Sequence, residues 1–376
     1  MRGDAIGLYI HIPFCNSKCG YCDFYSVAAE DKAIRTRTVD ALAREMLMLA
    51  ERFGRQRVCS IYIGGGTPSL LEPAQIERII GAARRAFDID LEAEITMEAN
   101  PGTVNRDSLR AYRAAGVNRL SIGVQAAQDD ILERIGRAHK WKHAEYAAND
   151  ARAAGFRNIS FDVMAGLPGQ TLSDLAETLR RTIALEPEHM SCYELTLEAN
   201  TPMGRARPAL PDEDALIAMS ALIARELRRA GLYQYEISNY ARQGFACRHN
   251  IGYWLRARYL GVGPAAHSFF DNKRFANARS IDTWLARIER GCIDWEEFSA
   301  IPPEEARFES MMLGLRLTDG VDADAFAESH GAPPIAYWKD AMTDMRSIGW
   351  LNWNSRRVWL TPRGRMLHNA VCVRLL

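Results

Sequence analysis

Short apolar, β-branched runs alternate with amphipathic helical stretches along the first two hundred residues, and this alternation limits the fold more than any other feature. Strands are predicted at residues 7–12, 58–63, 93–98, 119–124, 158–163 and 190–195. Helices are predicted at 39–53, 73–87, 106–115, 128–135, 143–154 and 172–185. A repeated strand–helix order requires a parallel sheet with crossover helices. Six units make either a doubly wound sheet or an incomplete barrel, and periodicity does not choose between them. Both place their sites at the C-terminal ends of the strands. The chemistry-bearing residues fall there: GGGTP after the second strand, Glu98 ending the third, Gln125 after the fourth, Asp162 on the fifth.

Beyond residue 200 the texture changes. Residues 201–214 hold three prolines and a glycine and read as a loop. A helix at 214–230, a strand-like YQYEIS and the segment CRHNIGYW follow. Helices at 303–316, 322–330 and 334–347, then two short strands within 349–360, predict a small, mainly α, winged-helix-like unit. The expected division is 1–240, a connecting region 241–300, and 301–376. The third helix of the last unit sets Lys339 and Arg346 against Asp340 and Asp344, so it has no basic face. The whole chain balances 47 basic against 47 acidic residues, which gives no field for nucleic acid. No apolar run of about 18 residues exists to span a membrane. The start, MRGDAIGLYIHIPFC, has no apolar leader core. The expectation is a cytoplasmic protein with reduced thiols.

Eight cysteines are too scattered for a disulfide scaffold, yet Cys15, Cys19 and Cys22 form C-x3-C-x2-C on a loop leaving the first strand. Three thiolates there suit a soft metal or an iron–sulfur cluster. A closed structural site wants a fourth ligand, and Phe24 occupies the nearby position. On a [4Fe–4S] cluster, three ligands leave one iron open to a substrate. The plainer alternative is zinc completed by His11 or Cys59.

This cysteine motif, opening a six-unit β/α domain, resembles the radical S-adenosylmethionine (SAM) superfamily. The resemblance implies a partial (β/α)6 barrel, a [4Fe–4S] cluster on Cys15, Cys19 and Cys22, and SAM chelated at the open iron. YxHIPFC, GGGTP, ExNP, the glutamine and arginine after the fourth strand, and DxMxGLPGQ are similar to the narrower HemN-like group. On that resemblance Tyr9, Gly65, Gly66, Thr67, Glu98, Gln125, Arg137 and Asp162 line the SAM pocket. A low-potential donor such as flavodoxin or ferredoxin would supply electrons.

Two functions compete within the group. Oxygen-independent coproporphyrinogen III oxidases convert propionates to vinyls, carry a fourth cysteine in the motif and have a longer N-terminal segment. This chain has Phe24 there and 14 residues before Cys15, and so resembles the shorter HemW branch of haem chaperones. That resemblance implies haem as cargo, apo-haemoproteins as acceptors, and peripheral association with membrane haemoproteins. SAM cleavage stays open, without coproporphyrinogen oxidation. RHNIGYW matches the branch's HNxxYW motif and makes His249, Tyr253 and Trp254 haem candidates. An imidazole can ligate haem iron, and aromatic rings can stack on porphyrin. Arg248, Arg256 and Arg258 are candidates for the propionates, with Cys247 and His267 as alternative iron ligands.

Overall fold

Six parallel strands follow the predicted order in the computed structural model, which describes residues 5–28 and 31–376. The first four residues of the stretch read for a leader lie outside them. The strands are β1 (Ile6–Ile12), β2 (Arg57–Gly65), β3 (Asp88–Ala99), β4 (Arg119–Gln125), β5 (Ile159–Ala165) and β6 (His189–Glu194). Each pairs in parallel with the next. Every residue of β4 is buried, as expected for a strand covered on both faces.

The crossover helices are α1 (Lys32–Phe53), α2 (Pro73–Ala86), α3 (Arg106–Ala115), α4 (Asp129–Arg134), α5 (Trp141–Ala153) and α6 (Leu172–Ile183). Helix α1 begins earlier than its apolar periodicity predicts. The Asp31 carboxylate accepts from the Ala33 and Ile34 N–H groups and starts it there.

After α7 (Glu213–Arg229), short strands β7 (Tyr233–Gln234) and β8 (Asn239–Ala241) extend the sheet antiparallel beyond β6. Then α8 (Arg248–Trp254) leads to β9 (Tyr259–Val262), which lies parallel to β1 on its other side. Strands β10 (His267–Phe270), β11 (Lys273–Ala276) and β12 (Glu297–Ala300) follow antiparallel. The sheet order is β12-β11-β10-β9-β1-β2-β3-β4-β5-β6-β8-β7, and its two ends do not meet. The sheet is therefore an open, partial barrel. The segment 241–300 does more than connect. Its Phe270, Phe275, Trp284 and Leu285 belong to the same core as the six-strand domain.

The last unit has its own core, which includes Met311, Leu315, Phe326, Met342, Met345 and Leu351. Its elements are α9 (Pro303–Gly314), β13 (Val321–Asp322), α10 (Ala323–His330), α11 (Pro334–Ser347), β14 (Leu351–Trp353) and β15 (Arg357–Leu360), followed by short helices α12 (Pro362–Met366) and α13 (His368–Val373). Helix, strand, two helices and a hairpin is the order of a winged helix. Among the described residues no helix is long and apolar enough to cross a membrane.

Candidate cofactor site at the mouth of the partial barrel

The cysteine loop leaves β1 and is anchored by the turn that ends β2. Gly66 N–H donates to the Ile12 carbonyl (2.8 Å), and Thr67 N–H donates to the Phe14 carbonyl (2.7 Å). Side chains cannot fit there: a Cβ on Gly66 would lie 2.5 Å from the Phe14 oxygen. Gly65 also holds φ +111°, which a side chain resists. Further along the loop, Gly20 N–H reaches the Ile135 carbonyl at the end of α4 (3.2 Å). The loop is thus clamped between the ends of β2 and α4, with Cys15, Cys19 and Cys22 all half-buried.

A cavity of about 390 Å³ collects the three cysteines with Gly65, Gly66, Thr67, Glu98, Gln125, Arg137 and Asp162. The Cys15 thiol stands 3.6 Å from the Thr67 hydroxyl. Arg137 donates to Cys19 Sγ (3.7 Å), to the Gly123 carbonyl (2.6 Å) and to Asn100 Oδ1. Glu98 accepts from the Tyr62 hydroxyl (2.8 Å) and from Gly65 N–H (3.1 Å). Burial still pushes its pKa up to about 7. Asp162 is raised too, mainly by burial, against the hydrogen bonds from Ser191 and Ser121 that favour its charge.

Gln125 is the clearest sign of a ligand. Its backbone sits at φ +62°, costly for a residue with a side chain. Its buried Oε1 has no hydrogen-bond partner. An unpaired buried carbonyl in a cavity wall is an acceptor waiting for a donor. The residues present therefore fit a cluster on the three thiols with SAM beside it.

Zinc fares worse. His11 is engaged at both ring nitrogens, by the Tyr9 hydroxyl and the Tyr25 carbonyl (both 2.9 Å). Cys59 lies near the start of β2, the opposite end from the cysteine loop.

Tyr9 does not line this cavity. It faces a second one, of about 530 Å³, together with His249, Tyr253, Tyr259, His267 and Arg279. Gly65, Glu98 and Phe24 line both cavities, so the two adjoin. Phe24 stands 64% exposed between them.

Residues 9–182 match the radical SAM superfamily, and residues 301–367 match the HemN C-terminal domain. The heme chaperone HemW of Bacillus subtilis (strain 168) is 35% identical over 96% of this chain and 97% of its own length. The heme chaperone HemW of Escherichia coli (strain K12) is 40% identical over 84% of this chain and 83% of its own length. The chain belongs to the HemW family. Its fold is shared with the solved coproporphyrinogen III oxidase HemN of E. coli, a radical SAM enzyme, at a TM-score of 0.87 and 22% identity. That likeness covers 99% of this chain and 90% of HemN.

The HNxxYW stretch of this HemW-family chain forms α8. His249 and Tyr253 stand one turn apart on the cavity side, as an i, i+4 pair should. The His249 ring is 2% exposed, with Nδ1 against the Ser60 hydroxyl (3.0 Å) and Nε2 against the Tyr253 hydroxyl (2.9 Å). Burial, reinforced by the Arg119 charge, lowers its pKa to about 3, so it is neutral at ordinary pH. Trp254 points elsewhere: its ring lies under the Arg316 guanidinium of the C-terminal unit at 4.2 Å. The arginines expected to meet propionates are also placed elsewhere. Arg256 pairs with Glu309 (2.9 Å), Arg248 donates to the Glu92 carbonyl (2.7 Å), and Arg258 lies over the Phe270 ring (5.2 Å). Cys247 is buried against Glu94 (3.4 Å). The arginine that does line the cavity, Arg279, was not singled out in the sequence. Neither were Asn100, Ser121 and Tyr193, which line the smaller cavity. Ser121 was findable, because it shares the alternate-residue face of β4 with Gly123 and Gln125.

Proposed function

We propose that this chain is a haem chaperone that holds a [4Fe–4S] cluster and SAM in the smaller cavity and haem in the larger one. The observation that carries the reading is the convergence of Cys15, Cys19 and Cys22 with seven of the eight SAM candidates on one cavity wall that adjoins a second, aromatic-lined cavity. A cluster held there by Cys15, Cys19 and Cys22 would offer one-electron reducing chemistry beside SAM. The chain's own residues do the rest. The Gln125 carbonyl accepts a hydrogen bond, the Glu98 carboxyl meets a cationic amino group, and the Asp162 carboxyl meets ribose hydroxyls. Arg137 steadies the Cys19 sulfur and offers positive charge to a carboxylate. In the larger cavity Tyr253 and the His249 that orients it form the wall behind the porphyrin. An apo-haemoprotein takes the haem, and a low-potential electron carrier serves the cluster.

The rival reading, oxygen-independent coproporphyrinogen III oxidation, draws on the fold shared with HemN. Phe24 in place of a fourth cysteine favours the chaperone. The deciding experiment is an anaerobic assay of reconstituted protein with coproporphyrinogen III, SAM and reductant, beside a haem titration. Haem uptake without porphyrinogen conversion is expected. Conversion at a useful rate makes the chaperone reading secondary.

A further inference from the structure

The larger cavity contains three imidazoles, and they differ in what they can offer an iron. His11 and His249 are 4% and 2% exposed, and each has both ring nitrogens engaged in hydrogen bonds. To ligate iron, His249 would have to release Tyr253 or Ser60 and leave a buried hydroxyl unpaired. The phenols are no better placed. Ligation by Tyr asks for a phenolate, and burial holds the Tyr9, Tyr253 and Tyr259 pKa values above the ordinary one.

His267 is different. It lines the cavity, its side chain is exposed, and no hydrogen bond or ring contact engages its imidazole among the described residues. It opens β10 and is paired with Ala276 of β11, so its backbone is fixed on a hairpin rather than a loose loop. The same cavity offers a flat macrocycle an aromatic face and a cation for its propionates, on a wall that also carries the carboxylates of Asp23, Glu98, Glu296 and Glu297. Phe24 presents an exposed aromatic ring, and Arg279 brings a guanidinium to the wall.

We propose that His267, rather than the HNxxYW histidine, is the axial ligand through which the larger cavity takes up haem iron. An accessible imidazole is a standard haem ligand, and here it binds without breaking a buried pair. His249 then has a positioning role, holding the Tyr253 ring against the porphyrin. The inference rests on the haem-chaperone reading and deepens it.

The test is titration of the full chain with ferric haem, read by the Soret band and by electron paramagnetic resonance of the haem. The unmodified chain should give an imidazole-ligated spectrum, and H249Q should keep that ligand signature while binding haem more weakly. His267→Gly should lose that spectrum and bind haem about tenfold or more weakly. Free imidazole added to His267→Gly should restore it, which a merely unfolded variant would not allow. An unchanged ligand spectrum in His267→Gly overturns the assignment while leaving the chaperone reading standing. Absence of haem uptake by the unmodified chain overturns both.

Discussion

At the scale of single residues, burial holds the cavity's carboxyls away from their ordinary charge state. Glu98 shows this most directly. Its folded pKa of about 7 lies above the ordinary 4.5 because burial penalises the charge. A carboxyl raised on folding contributes stability that is full below pH 4.5 and lost as pH climbs through 7. Glu98→Gln should therefore gain on the parent above pH 7 but not below 4.5 in pH-resolved denaturation. On the proposed placement, the cationic amino group of SAM meets Glu98 and favours its carboxylate. The affinity for SAM should tighten as pH rises through about 7 and flatten in Glu98→Gln, measured by equilibrium dialysis. A parallel slope in both proteins would remove Glu98 from the pocket. His249 works in the opposite sense. Its pKa falls on folding, so its contribution is present above the unfolded value of 6.5 and lost as pH drops toward about 3. His249→Phe should cost about 2 kcal/mol at neutral pH by stranding the Ser60 and Tyr253 hydroxyls, and less in acid. The sequence made these residues visible as candidates. It did not show that His249 is saturated with partners, because Ser60 lies on β2, far from α8 along the chain.

At the scale of elements, the cysteine loop depends on the β2 turn more than on its own sequence. The strands and most helices were legible because the parallel sheet is covered on both faces and writes apolar runs into the chain. Strands β9 to β12 were not, because each has only four residues and forms by pairing with β1 or with its neighbour. Propensity over so short a run is outweighed by tertiary context. The GGGTP turn was legible as a close approach, though what it approaches is plain only in three dimensions. Gly66→Ala places a methyl 2.5 Å from the Phe14 oxygen and 2.9 Å from the Ile12 oxygen, so one backbone must move. The hydrogen bonds that fix the root of the cysteine loop go with it. We expect reconstituted Gly66→Ala to hold severalfold less iron and sulfide per chain, with far-ultraviolet circular dichroism unchanged. Full cluster content would show that the loop is positioned independently of the turn.

At the scale of the whole molecule, the C-terminal unit bears on the larger cavity through Glu309 and Arg316. Glu309 on α9 is 6% exposed and binds both Arg256, just past α8, and Arg274 on β11 (2.9 and 2.8 Å). Alongside it, Arg316 covers the Trp254 ring and pairs with Glu236 (3.2 Å). The two elements so held, α8 and the β10–β11 hairpin, carry Tyr253 and His267 to the larger cavity. None of this was readable from sequence. An arginine beside a haem motif looks like a propionate ligand until its partner, far along the chain, is seen. Glu309→Ala leaves Arg256 charged at 14% side-chain exposure, whereas Arg274, at 39%, can turn to water. Breaking a buried pair from one side costs about 3–5 kcal/mol, and the partly exposed Arg274 reduces this to about 2–3. The loss should appear as a lower denaturation midpoint and faster proteolysis of the C-terminal unit. Haem affinity should fall with it, since the Glu309 clamp sets the wall of the larger cavity. Iron and sulfide content should not, because the cysteine loop is clamped by β2 and α4, which Glu309 does not touch. Loss of cluster and haem together would mean that the C-terminal unit supports the whole barrel rather than one cavity.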